Sequence, residues 1–182
     1  MKKIIILIAA ILLLTGCSKD GTTKQGNDEA TDNELNKTAE VSETILPGHS
    51  FENNEVRIAM NVDAAPIVEA LGEPVEYFEA ASCAFQGLDK IYYYNGYELG
   101  TYPNGEKDYV SYVNLLDDSV ATDKGVYLGS TLEEVIAAYG NEYSAEGTSY
   151  VYRLGETKLT FIIEEEVVTS ITYYAIVEGL NN

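Results

Sequence analysis

Three runs near the C-terminus constrain the fold most. Ser149–Leu154 (SYVYRL), Thr157–Glu164 (TKLTFIIE) and Val167–Ile176 (VVTSITYYAI) alternate apolar and polar side chains. Gly155-Glu156 and Glu165-Glu166 separate them. Alternation with period two puts every second side chain on one face, and two-residue gaps are hairpin length. The three runs therefore predict an antiparallel meander with one apolar face. A second set lies upstream: Ala81–Phe85, Lys90–Tyr94, Tyr97–Tyr102 and Tyr109–Leu116. Its turns are Gln86–Asp89, Asn95-Gly96 and Pro103–Glu106.

Each meander follows a short helix signal. Ser130-Thr131-Leu132-Glu133 has the form of a capping box, with Ser130 at N-cap and Glu133 at N3. Leu132, Val135, Ile136 and Tyr139 follow at helical spacing, and Gly140 suits a C-terminal cap. Upstream, Asp63 can cap, Pro66 falls in the first turn, Ile67 and Leu71 share a face, and Gly72 ends the segment. The two helix segments align at an offset of 68 residues, from Ala64 onto Leu132 to Gly72 onto Gly140. This predicts an α+β class: two tandem units of helix plus antiparallel meander, about 58–122 and 125–178, with each short helix packed on the sheet.

Composition sets the boundaries. All 15 Tyr lie between Tyr77 and Tyr174, and from Glu55 apolar residues begin to alternate with polar ones. Residues 55–182 are thus the expected globular domain, long enough for one core. Residues 17–54 are rich in Gly, Asn, Asp, Thr, Lys and Glu and lack an apolar stripe, which predicts a flexible acidic stalk. The chain carries a formal charge of −19. Clustered cations are needed to bind phosphate backbones or anionic lipid, so nucleic acid and an electrostatic membrane anchor are excluded as partners.

The N-terminus reads as a targeting signal. Met1-Lys2-Lys3 is a positive n-region, and Ile4 to Leu14 is an eleven-residue apolar run. A transmembrane helix needs about 20 such residues. Leu14-Thr15-Gly16-Cys17 resembles the lipobox of bacterial lipoproteins. The resemblance implies a signal peptide at 1–16, cleavage before Cys17 and acyl chains, palmitate among them, on Cys17. Two or more chains give stable anchoring. Removal of Lys2 and Lys3 leaves a mature charge of −21, of which −16 falls in 55–182.

Gly125-Val-Tyr-Leu-Gly-Ser-Thr-Leu-Glu-Glu-Val-Ile-Ala-Ala-Tyr-Gly140 resembles the helix unit of the SmpA/OmlA envelope lipoproteins and of the tandem-repeat β-lactamase inhibitor proteins (BLIP). Cys83 to Tyr94, continuing through Tyr97–Pro103 to Asp108–Val110, is similar to small lipoproteins of Gram-positive gut bacteria. The resemblance implies a BLIP-like fold, a protein-binding sheet and the extracellular face of a cell membrane. Trp is absent and Cys83 is the only Cys in the domain, whereas BLIP proteins carry several Trp and a disulfide per repeat. No β-lactamase target is carried over.

Catalytic chemistry finds little support. His49 is the only histidine, lies in the stalk and is expected to be solvated. Cys83 is expected to be a small buried residue of the first strand. Asp117-Asp118, Glu133-Glu134 and Glu164–Glu166 are expected to be solvated carboxylates. No metal loop, phosphate loop or paired-cysteine motif is present. The expectation is therefore no catalytic residue, no cofactor and no metal. The tyrosines carry the most weight. Tyr92, Tyr94, Tyr97, Tyr102 and Tyr112 are the candidate binding face, since tyrosine gives large contact area at low entropic cost. Tyrosine is equally a good strand former. The leading expectation is a non-enzymatic, lipid-anchored protein that binds a protein or envelope component through a Tyr-rich acidic sheet. The alternatives are an envelope enzyme using Asp/Glu pairs on carbohydrate, and a structural assembly or sensory subunit.

Overall fold

The structure, a computed structural model, describes residues 47–180. Its elements run β1 (Ser50–Asn53), β2 (Val56–Ala59), α1 (Ala65–Leu71), β3 (Glu76–Ala81), β4 (Leu88–Tyr94), β5 (Tyr97–Asn104), β6 (Lys107–Leu115), α2 (Leu132–Tyr139), β7 (Ser144–Glu146), β8 (Ser149–Leu154), β9 (Thr157–Glu164) and β10 (Val167–Ala175). Strands β3 to β10 form one eight-stranded sheet in the order β3-β4-β5-β6-β10-β9-β8-β7. Every pairing in it is antiparallel.

The α+β expectation is corrected by this architecture. The described chain is 49% strand and only 11% helix. Helix α1 has seven residues and buries none of them, and α2 has eight and buries only Val135. Helices so short cannot supply the packing layer of tandem helix-plus-meander units, so the BLIP-like description falls with it. The sheet is instead continuous across the β6–β10 pairing, from Ile171↔Leu115 to Tyr174↔Tyr112.

Part of the cover comes from the end of the segment read as stalk, beside Ile67, Val68 and Leu71 of α1 and Val135 of α2. Strands β1 and β2 pair as a separate hairpin around Asn54-Glu55. Phe51 and Ile58 are fully buried in the core beside Leu99, Val113, Leu159, Phe161, Ile171 and Tyr173. The Phe51 ring lies 4.9 Å from Tyr97 and 6.0 Å from Tyr173. Burying each side chain contributes about 1.5–3 kcal/mol, which offsets the cost of ordering a polar hairpin. A stalk extending to residue 54 is thus corrected: ordered structure begins before Ser50, and residues 17–46 lie outside the described residues. After β2 the chain runs along the edge of β6 that β10 leaves free. Asn61 donates to the Val110 carbonyl, Val110 to the Val62 carbonyl, and Ala64 to the Asp108 carbonyl (2.8–2.9 Å).

Two local expectations shift. The cap of α2 is one residue later: Thr131 accepts from the Glu134 amide at 3.2 Å, and Glu134 accepts from the Thr131 amide at 2.7 Å. Ser130 is occupied elsewhere, its hydroxyl taking the Tyr127 amide and its carbonyl the Val168 amide. The first sheet strand is Glu76–Ala81 rather than Ala81–Phe85. Ser82 ends it, its hydroxyl accepting from the Ala84 and Phe85 amides at 3.3 and 3.2 Å.

Candidate binding surface

Cross-strand partners share a face, so the register assigns each side chain. Tyr92↔Leu99↔Val113↔Tyr173 and Tyr94↔Tyr97↔Leu115↔Ile171 run along the core face. Tyr93↔Glu98↔Asn114↔Thr172↔Thr160↔Val151 run along the other. A second outward row continues Ile91↔Gly100↔Tyr112↔Tyr174↔Lys158↔Arg153. None of these outward residues belongs to the hydrophobic core. This outward face is the candidate surface.

Its centre is an aromatic pair held over a glycine. The Tyr112 ring lies across Gly100 so closely that a methyl there would meet Cε1 at 1.9 Å. Tyr112 then packs on Tyr174 with 6.3 Å between centroids, and the Lys158 ammonium sits 4.8 Å from the Tyr174 centroid. Burial, and then the charge of Glu98, push the Tyr112 phenol well above the usual tyrosine range. Burial, and then Arg153, lower the Lys158 ammonium. Beside the pair, Thr172 donates to Asn114 Oδ1 at 3.0 Å, and Asn114 donates to Glu98 Oε1 at 3.4 Å. The face thus offers flat aromatic area flanked by one amide, one carboxylate and two cations, a composition suited to contact with another macromolecule.

The five tyrosines named from sequence do not form one face, and this corrects that assignment. Tyr97 is 1% exposed, and burial pushes its phenol up to about 12. Tyr94 stacks on it at 5.2 Å, and its hydroxyl donates to the Gly72 carbonyl. Tyr92 is half-buried on the same core side, against Tyr77. Tyr102 is 3% exposed, covered by Phe85 at 5.2 Å, and its hydroxyl donates to Asn61 Oδ1. By register Tyr102 shares the outward phase of Gly100 but is covered by Phe85 and Asn61, so Tyr112 alone of the five stays part-exposed on the outward face. The residues missed are Tyr93, Tyr174, Glu98, Asn114 and Lys158. Alternation along a strand sets Tyr93 against Tyr92 and Tyr94, and Tyr173 against Tyr174. What it lacked was which side is covered.

Two further expectations change. His49 is half-buried, its amide donating to Thr157 Oγ1 at 2.7 Å, and its Nε2 is buried without a hydrogen-bond partner. Burial lowers its pKa, and the contact with the Tyr152 backbone partly opposes this. Cys83 is exposed, in the loop after β3 rather than inside a strand. Among the described residues no group of three or more His, Cys, Asp or Glu is placed to hold a metal ion. A cleft of about 210 Å³ opens between the β1–β2 turn, the end of α1 and the β4–β5 turn, lined among others by Asn54, Glu73, Tyr94 and Asn95.

Residues 1–18 match the prokaryotic membrane lipoprotein lipid attachment site. The match supports attachment of the chain to a membrane through lipid, as in bacterial lipoproteins, and Cys17 is the cysteine inside the matched segment. Among the described residues no helix is long and apolar enough to cross a membrane. No curated protein matches the chain. One solved structure that it is similar to is a DUF4309 family protein (YjgB) from Bacillus subtilis subsp. subtilis str. 168, at 18% identity and a TM-score of 0.37, covering 62% of this chain and 78% of that one.

Proposed function

We propose that this lipoprotein is a non-enzymatic binding protein, held by acyl chains on Cys17 at the extracellular face of the cell membrane, and that its outward sheet face engages a protein or envelope component. The observation that carries this reading is the uncovered row of Tyr93, Tyr112 and Tyr174 with Lys158, Glu98 and Asn114. Residues 55–182 carry −16, to which Glu52 of β1 adds one negative charge, so the partner is cationic or neutral. Lipid holds the chain against a surface that its charge repels, which favours a partner met away from the bilayer.

The test places a photo-crosslinking amino acid at Tyr93 or Tyr174 in the lipidated protein in its native membrane. The same group at Glu69, exposed on α1, whose Ile67, Val68 and Leu71 pack against the core side, is the control. Discrete adducts from the two face positions, absent from the control and weakened by Tyr112→Ala, are the expected result. Equal labelling from all three positions refutes the reading.

A further inference from the structure

We infer that β3 is a β-addition site which takes an extended, basic-apolar peptide segment of a partner protein. The inference accepts the partner-binding reading but uses a different surface from the outward face.

The sheet ends on one side in β7, only three residues long, and on the other in β3, six residues long. Proteins blunt sheet edges with short strands, bulges, lysine or proline. β7 is short. β3 is protected only by charge: EYFEAA carries Glu76 and Glu79 but no Pro or Lys, and it pairs with β4 from Glu76↔Tyr93 to Ala81↔Leu88 without a register shift, so a cationic strand is the one its charges do not repel. Every residue of β3 is exposed. Phe78 at 53% and Tyr77 at 45% are flanked by Val75 at 74% and Leu88 at 40%, so the open edge is also apolar.

The direction of the backbone follows from the next hairpin. Asn95-Gly96 is a two-residue turn, which makes Tyr94↔Tyr97 a hydrogen-bonded pair. Bonded and non-bonded pairs alternate, so the alternate residues Asp89, Ile91 and Tyr93 turn their groups toward β3. Their partners Ala80, Phe78 and Glu76 bond inward. The amide of Ser82, bonded to the Gly87 carbonyl, keeps the same phase. Tyr77, Glu79 and Ala81 therefore aim their N–H and C=O groups at the open edge, about 6.8 Å apart as in any strand.

The charges select the occupant. Glu76 lies on the Phe78 side of the strand and Glu79 on the Tyr77 side, with Glu73 just upstream. The Tyr77 hydroxyl donates to Glu79. A second copy of β3 would bring acid against acid on a chain whose residues 55–182 carry −16. A strand alternating lysine or arginine with apolar residues meets both carboxylates and the aromatic rings, while main-chain bonds supply affinity.

The test uses the full-length mature lipoprotein in detergent and a fluorescent octapeptide alternating lysine and valine. Binding is followed by anisotropy. On addition of peptide, amide exchange slows at Tyr77, Glu79 and Ala81, a readout that needs no variant. Glu79→Pro removes an outward N–H together with the carboxylate while β3 keeps its bonds to β4, and peptide affinity falls about tenfold or more, beyond the loss in Glu79→Gln that measures the carboxylate alone. Glu79→Gln weakens it about threefold, in step with its salt dependence. Tyr112→Ala leaves peptide binding unchanged, which separates this site from the outward face. Three results overturn the inference: equal affinity in Glu79→Pro, protection elsewhere in the sheet, or self-association of the wild type that Glu79→Pro abolishes, which gives the edge to a second copy.

Discussion

Replacing Gly100 by alanine tests the aromatic arrangement of the outward face most sharply. A Cβ at this position would stand 1.9 Å from Tyr112 Cε1, 2.4 Å from Cδ1 and 2.5 Å from Cζ. Carbon atoms pack at about 3.5–4.0 Å, so the ring must move by roughly 1.5 Å or swing away. Overpacking of this kind costs about 1–3 kcal/mol. Swinging also breaks the contact with Tyr174, worth about 0.5–1.5 kcal/mol. Gly100 has no positive φ, so alanine meets no backbone strain. Alanine in place of glycine within a strand or helix gains about 0.5–1 kcal/mol from the unfolded chain. The net expectation is a loss of about 1–3 kcal/mol in the wild type.

The sign should reverse once the ring is gone. In a Tyr112→Ala background the space above residue 100 is open, and Gly100→Ala becomes neutral or stabilising by about 0.5–1 kcal/mol. Equilibrium urea unfolding followed by tyrosine fluorescence gives the four corners of the cycle, since the chain has no Trp. A coupling above about 1 kcal/mol is expected for residues in direct contact. If the two changes add to within about 0.5 kcal/mol, the ring does not lie on Gly100 in solution and the outward face is built differently.

Other expectations follow from single elements. Thr131→Ala costs about 1 kcal/mol as a lost N-cap, and Glu134→Ala in that background adds little because the two act as one box; thermal melts of the three variants decide it. Glu165 and Glu166 both adopt positive φ (51° and 68°) in the β9–β10 turn, so the pair Glu165→Asn/Glu166→Gly should stabilise by about 1–2 kcal/mol in urea. His49 is held below its usual 6.5 by burial, so the fold prefers the neutral ring. Stability is therefore complete above the unfolded value and declines as pH falls below it toward the folded one; His49→Gln should flatten the slope that sets in below about pH 6.5.

The meanders were legible because their information is local. Alternation and two-residue turns placed β8, β9 and β10 and the Asn95-Gly96 hairpin, since a pleated strand shows its period in any short window. The helix signals were legible too, yet they misled about class. Capping boxes and glycine stops report that a helix forms, not how much it covers. With α1 burying nothing and α2 only Val135, the strands carry the architecture.

The binding face was lost at a different step. Alternation divides Tyr92, Tyr94 and Tyr97 from Tyr93, and Tyr173 from Tyr174, without saying which side meets water. That choice is made by whatever packs on the sheet. Here it is Phe51 and Ile58, two apolar residues in a hairpin whose other members are polar or small and whose turn, Asn54-Glu55, has no glycine. Read alone, Ser50–Asn53 has one apolar residue and announces no core element. Its burial is non-local, because the Phe51 ring packs on Tyr97 and Tyr173, 46 and 122 residues away in sequence. Once that hairpin is placed, register puts Tyr92, Tyr94, Tyr97 and Tyr173 on the core side and leaves Tyr93, Tyr112 and Tyr174 facing outward, while Tyr102 takes its cover from Phe85 instead.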